Sequence, residues 1–194
     1  MRFGRKSLFI TGALFLLLCC VGAGNTPKLN TFEIDPAQST VQFTVESTLH
    51  TVHGSFKLKP GSIQFDPAGG PASGQFAVDA ASGDSENKSR DKKMTNEILE
   101  AAKFAEISFA PQQMKGTLAP SGPSQFQLEG MFTLHGQAHS LTLDVNAVAK
   151  DNLLTADTSF EVPYIQWGLK NPSALFLKVS DKVQVHIHAV GKLN

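Results

Sequence analysis

The chain has 194 residues, with 17 basic side chains against 17 acidic ones and only two cysteines. Arg2, Arg5, Lys6 and both cysteines fall within its first stretch, so the remainder carries 14 basic against 17 acidic groups, a net charge of −3. A mildly acidic surface argues against nucleic acid as the partner. A cysteine-free remainder excludes disulfides, thiol nucleophiles, iron–sulfur ligation and thiolate zinc.

In chain order, the first feature has the layout of a secretory signal peptide. The basic start leads into an apolar run, Leu8 to Leu18, broken only by Thr11 and Gly12. Val21-Gly22-Ala23 then supplies the small-residue spacing that a signal peptidase accepts. The run is too short for a comfortable membrane span. Residues 1–23 are therefore expected to be removed, leaving a periplasmic or secreted domain over residues 24–194. Leu18 precedes Cys19 where a lipid-anchored protein usually has a small residue, which argues against an anchor at Cys19 or Cys20. About 170 residues suffice for one domain stabilised by its core alone.

Beyond the signal, apolar residues alternate with polar ones at period two. Val41, Phe43 and Val45 form the first such run, followed by Phe56 and Leu58, Ile63 and Phe65, and Phe76 and Val78. Ile107 and Phe109, Phe126 to Leu134, Leu141 to Val145, Phe160 and Val162, and Val183 to Ile187 continue the pattern. Turn residues punctuate the runs at Lys59-Pro60-Gly61, Asp66 to Gly70, Ala119 to Gly122 and His135-Gly136. Many short strands with one apolar face and close turns mean an antiparallel sandwich or barrel. Eleven of the 14 phenylalanines lie in this part, beside one Tyr and one Trp, and Phe suits a dry interior because it has no polar tip.

One segment, Ser89 to Phe104, departs from alternation. Met94, Ile98, Ala101 and Ala102 fall on one helical face, with Thr95 or Asn96 as the expected cap of its second half. Packed on or over a barrel end, such a helix would close an opening.

Catalytic constellations are not found in the sequence. It has no Gly-x-Ser-x-Gly elbow and no Gly-rich phosphate loop. His135 and His139 are four apart on a hairpin pattern without the glutamate of a zincin. His186 and His188 share the strand face opposite the apolar one, and two imidazoles are not a metal site, so solvent exposure is expected of them. His50 and His53 flank the start of a strand, where local hydrogen bonding to a turn is expected over ligand contact. Asp79, Asp84, Glu86, Asn87 and Asp91 cluster without calcium-loop spacing. Asp91 suits a helix N-terminus, a structural role, whereas Arg90 offers the alternative of orienting a lipid head group at a barrel mouth. The chain reads as a non-enzyme, without cofactor or metal.

Several motifs together resemble the YceI-like polyisoprenoid-binding family. They are Thr31-Phe32-Glu33-Ile34-Asp35 with Ser39-Thr40-Val41-Gln42-Phe43, then Val52-His53-Gly54-Ser55-Phe56, Arg90-Asp91-Lys92-Lys93-Met94, and the strand Phe104 to Phe109. The most specific is Gly130-Met131-Phe132-Thr133-Leu134-His135-Gly136, which resembles the family's G-x-L-T-L-H-G hairpin. The resemblance implies an elongated, lipocalin-like, eight-stranded antiparallel barrel with a short helical insertion and an apolar tunnel for polyisoprenoid or similar lipids. It also implies export and no catalytic residues. Gln137-Ala138-His139-Ser140 and Val162 to Ser173 depart from the common pattern and mark a distinct branch.

Phe43, Phe76, Phe109, Phe132, Leu143 and Phe160 stand on the apolar side of their strands, near strand middles, and are the expected ligand-lining residues. Trp167, between Gln166 and Gly168 in an irregular stretch, is expected to cover one mouth. A buried isoprene unit contributes about 4 kcal/mol, against an association cost on the order of 4–15 kcal/mol, so a long ligand and a deep channel are required. The function expected is a non-catalytic carrier or sequestering protein for a long apolar lipid, with transient membrane contact open. The alternative is a structural or stress-related envelope protein whose barrel is filled.

Overall fold

Ten strands answer the alternation: β1 (Asn30–Ile34), β2 (Thr40–Val45), β3 (Val52–Phe56), β4 (Gly61–Phe65), β5 (Gly70–Asp79), β6 (Glu106–Gly116), β7 (Gly122–Leu134), β8 (Gln137–Lys150), β9 (Leu153–Val162) and β10 (Val183–Leu193). The computed structural model describes residues 29–173 and 177–194. The signal-like segment and both cysteines lie outside the described residues.

The ten strands fill eight positions of a closed antiparallel barrel. One edge of β10 pairs with β9 over its whole length, and its other edge pairs first with β2 and then with β1. β1 and β2 are thus one strand bent at Asp35–Ser39, where Pro36 cannot donate to the ladder. The bend is stapled from inside: Val190 N donates to the buried Ser39 hydroxyl at 2.9 Å, and Ser39 Oγ donates to Asp35 O at 2.7 Å. β3 and β4 form a second bent strand beside them, pairing with β2 and β1 respectively. β5 joins the second bent strand through β4 and through the Leu58–Val78 bridge. The pairs β5–β6, β6–β7, β7–β8 and β8–β9 complete the ring.

Local sequence sets the ends and the phase. His135 (φ 52°) and Gly136 (φ 73°) make the two-residue β7–β8 turn, whose handedness matches strand twist only with positive φ at both positions. A bulge between Pro111 and Gln113 inserts a residue into β6, so Phe109 and Met114 both face inward although five positions apart. One barrel end is plugged: Met114 and Leu154 are the largest fully buried side chains, and Phe65, Leu118 and Phe126 are buried in the same core cluster.

The opposite end carries the helical segment. Helix α1 (Lys88–Lys93) runs directly into a π-helical turn, Met94–Ile98. Its cap is Asn87, whose Oδ1 accepts from Ser89 N and Arg90 N at 3.1 Å, rather than Thr95 or Asn96. No break occurs at Thr95, so no second cap is needed there. The wide turn, closed by Leu99 N donating to Met94 O at 2.8 Å, also rotates the apolar face. Leu99 and Ala101 are buried, while Ala102 is exposed, contrary to the simple helical spacing.

Candidate ligand cavity

The barrel is not filled. Inward-pointing side chains enclose a cavity of about 590 Å³, within the range of small-molecule sites. Phe43, Phe76, Phe109, Phe132, Leu143 and Phe160 all lie on its wall. Packing explains why these large rings leave space. Phe43 pairs with Gly54 across β2 and β3, and its ring occupies the place a Cβ at residue 54 would take. It meets Phe56 at 5.3 Å and so stays against the wall. Phe132 and Phe160 hold one another edge to face at 5.8 Å.

Trp167 does not line the cavity. The chain after β9 turns at Pro163–Gly168, where Trp167 N donates to Pro163 O at 3.0 Å. This places the indole against His139, stacked at 4.0 Å, with the Phe132 ring 5.8 Å away. Trp167 therefore packs against the cross-strand pair Phe132 and His139, next to a wall residue and not on the wall itself. Tyr164 of the same turn does reach the lumen, and its hydroxyl donates to Ser180 O at 2.7 Å. Burial pushes that phenol above its ordinary pKa of 10.0, and the nearby Asp181 charge adds to the effect.

The lining is apolar except at the helical end and at a few wall positions such as Thr158, a buried residue whose hydroxyl has no partner among the described residues. The mouth is where lining residues become exposed: His50, Ser89 and Lys93, with Ser47, Ser85 and Arg90 beside them. His50 thus does more than the turn bonding expected of it. Its backbone joins Ser47 Oγ, as a donor at 3.3 Å and an acceptor at 2.7 Å, and its ring faces Arg90. Asp91 is not simply a helix-end acid either, since it anchors Ser85 by accepting from the Ser85 N–H at 2.9 Å and from its hydroxyl.

Sequence reasoning missed the rings and chains that close this end, namely His50, Lys93, Leu99 and Val179. A signal was present for one of them: Ser89, Arg90, Lys93 and Met94 fall at i, i+1, i+4 and i+5, a single helical face, and all four line the cavity. His53, His186 and His188 lie on outward strand faces, as expected of the last two, whereas His139 shares the inward face of its pair Phe132 and has a buried Nε2. His53 bonds Thr44 Oγ1 at 3.0 Å, His186 bonds Ser159 Oγ at 2.9 Å, and His188 Nδ1 meets Asp157 Oδ1 at 2.7 Å.

Comparison with known proteins follows the same lines. The model of the YceI-like domain matches residues 32–191. Among solved structures, BcnA of Burkholderia cenocepacia superposes with a TM-score of 0.70 at 20% identity, over 82% of this chain and 99% of that one. A polyisoprenoid-binding domain from Saccharophagus degradans gives 0.64 at 13% identity, covering 84% and 98%. The YceI protein of Campylobacter jejuni gives 0.59 at 18%, covering 73% and 84%. No curated protein matches the sequence.

Proposed function

The chain belongs to the YceI-like family, and from that premise we propose that it is an exported, non-catalytic carrier holding a long apolar lipid of the polyisoprenoid class inside its barrel. The observation that carries the proposal is the unfilled apolar interior of about 590 Å³, bounded by Phe43, Phe76, Phe109, Phe132, Leu143 and Phe160. An empty apolar volume of that size forfeits dispersion contacts along its whole wall, and an apolar chain restores them. Depth matters as much as volume. The lining runs along β9 from Leu154 to Val162, which at about 3.3 Å per residue and a tilt near 40° is roughly 20 Å of channel. Several isoprene units therefore lie inside, more than the two or three needed to offset the cost of association. The solved polyisoprenoid-binding domain of similar fold supports the ligand class, and the sequence of residues 1–23 supports export.

Mass spectrometry of the protein isolated from its own cells tests both parts. Under native conditions an apolar adduct is expected, and after denaturation a chain starting at Gly24 or Asn25. A ligand-free native mass argues for a barrel without cargo, and a product retaining Met1 or acylated at Cys19 or Cys20 overturns export with cleavage.

A further inference from the structure

The carrier reading leaves the ligand's end group undefined, and the mouth of the cavity bears on it. Among the described residues, Arg90 and Lys93 are the charged side chains of the lining, which contains no aspartate or glutamate. Arg90 is half-buried, yet it has no carboxylate within ion-pair distance among the described residues. A guanidinium held in that position without a counter-charge is costly unless an anion meets it.

The side chain is also held in a fixed pose. Its Nε donates to Ser85 Oγ at 2.7 Å and its Nη2 to Ser85 O at 2.6 Å, while Nη1 lies 3.5 Å from His50 Nε2. Ser85 is buried and is fixed in turn by Asp91. Asp91 thus positions the guanidinium through a serine instead of neutralising it by direct contact. Of the five N–H donors of an arginine, at least two remain uncommitted. That arrangement suits an acceptor with two or more oxygens arriving from the lumen, because guanidinium pairs with carboxylate and phosphate through parallel hydrogen bonds.

We infer that the bound lipid ends in an anionic head group, a carboxylate or a phosphate, which Arg90 receives at the mouth with Lys93 beside it. The inference rests on the carrier reading, and Ser85 and Asp91 enter it as positioning residues. The head group sits at the helical end and the tail runs toward the plugged end at Met114 and Leu154.

The test uses one C20 tail with three ends: geranylgeraniol, geranylgeranoic acid and geranylgeranyl phosphate, each titrated into the delipidated protein and followed by native mass spectrometry. At least one anion is expected to bind tenfold or more tighter than the alcohol, about 1.4 kcal/mol, and the better anion identifies the head group. Arg90→Gln should bring that ratio below about threefold, and Lys93→Gln should lower it less. Lys115→Gln, whose ion pair with Glu129 lies away from the mouth, should keep the full ratio. Should Arg90→Gln lose the native circular dichroism spectrum, Arg90→Lys decides, with a ratio under half the native one expected. An alcohol bound as tightly as both anions, or a ratio that survives substitution of Arg90, overturns the inference while leaving the carrier intact. If none of the three ligands binds, the carrier reading falls with it.

Discussion

Phe132 faces Phe109 on β6 and His139 on β8, and its ring touches both Phe160 and the indole of Trp167. Its other side borders the cavity, so a longer polar side chain placed there has room to extend toward the mouth. Phe132→Arg is therefore expected to keep the far-ultraviolet circular dichroism spectrum of the barrel while abolishing lipid retention, because a charge buried against an apolar tail costs several kcal/mol. Phe76→Arg should behave in the same way. Met114→Arg provides the contrast, since that side chain is 1% exposed and is not among the residues that line the cavity. Loss of the folded spectrum is expected there. A Phe132→Arg protein that stays folded and keeps its lipid would show that this ring does not border the ligand. Gly54 makes a subtler demand. A methyl group at that position would lie 2.3 Å from Phe43 Cζ and 2.6 Å from the backbone oxygen of Asp84. The ring can swing into the lumen, but the carbonyl is tied to β3 by the bond from Ser55 N at 2.8 Å. Gly54→Ala should accordingly cost about 1–3 kcal/mol in denaturant melts and weaken lipid binding as well. An unchanged midpoint with undiminished binding would mean that Phe43 has another place to go.

Among elements, the helical segment and the β7–β8 hairpin are tied together at Glu100. This residue leaves the π turn with φ 47°, accepts a hydrogen bond from His135 Nε2 at 2.7 Å, and lies 3.9 Å from Lys170 Nζ. The Phe104 ring covers Gly136 at the same place. The His135 hydrogen bond, partly opposed by desolvation and helped by the Lys170 charge, holds the Glu100 carboxyl below its ordinary value of 4.5. A carboxyl with a depressed pKa in the folded state adds stability that is full above the unfolded value and lost as the pH falls through the folded one. The melting temperature of Glu100→Gln should thus lie below that of the native protein at pH 6 and converge with it by about pH 3. Parallel curves across that range would remove the tie from the account. At this scale most of the fold could be read from the sequence, because period-two runs such as Phe43 to Val45 and Leu141 to Val145 report a one-sided environment directly. The bends that fuse β1 with β2 and β3 with β4 could not be, since the first depends on pairing with β10, some 150 residues away along the chain, and the second follows the first. The π turn was equally hidden: its extra residue leaves composition unchanged and only displaces Ala102 to the surface. Six wall residues were legible because lumen-facing positions are also strand-centre positions. Of the mouth, Arg90 was legible in the sequence, but His50, Lys93 and Val179 were not, because they come from separate loops and segments that only closure of the barrel brings together.

For the whole molecule, the plugged end and the lined cavity divide the interior into a part that packs on its own and a part that lacks its filling. Met114 is fully buried and off the cavity wall, and Leu154 stands where the lining ends, whereas around Phe43, Phe109 and Phe160 the side chains face empty apolar space. A bound tail completes the second region in the folded state and has nothing comparable to bind in the unfolded chain, so it stabilises by mass action. At a free concentration a hundred times the dissociation constant the gain is about 2.7 kcal/mol. A domain of this size shifts its melting temperature by roughly 2–4 °C per kcal/mol. Extraction of the native lipid should therefore lower the midpoint in scanning calorimetry by about 5–11 °C, and returning the extracted lipid should restore it. The effect should shrink in Phe132→Arg, which retains the barrel but not the tail, and its midpoint should match that of the extracted native protein more closely than that of the loaded one. A native protein whose midpoint is the same before and after extraction would instead have a barrel whose stability does not depend on cargo, and the unfilled space around Phe109 would then need an explanation other than lipid carriage.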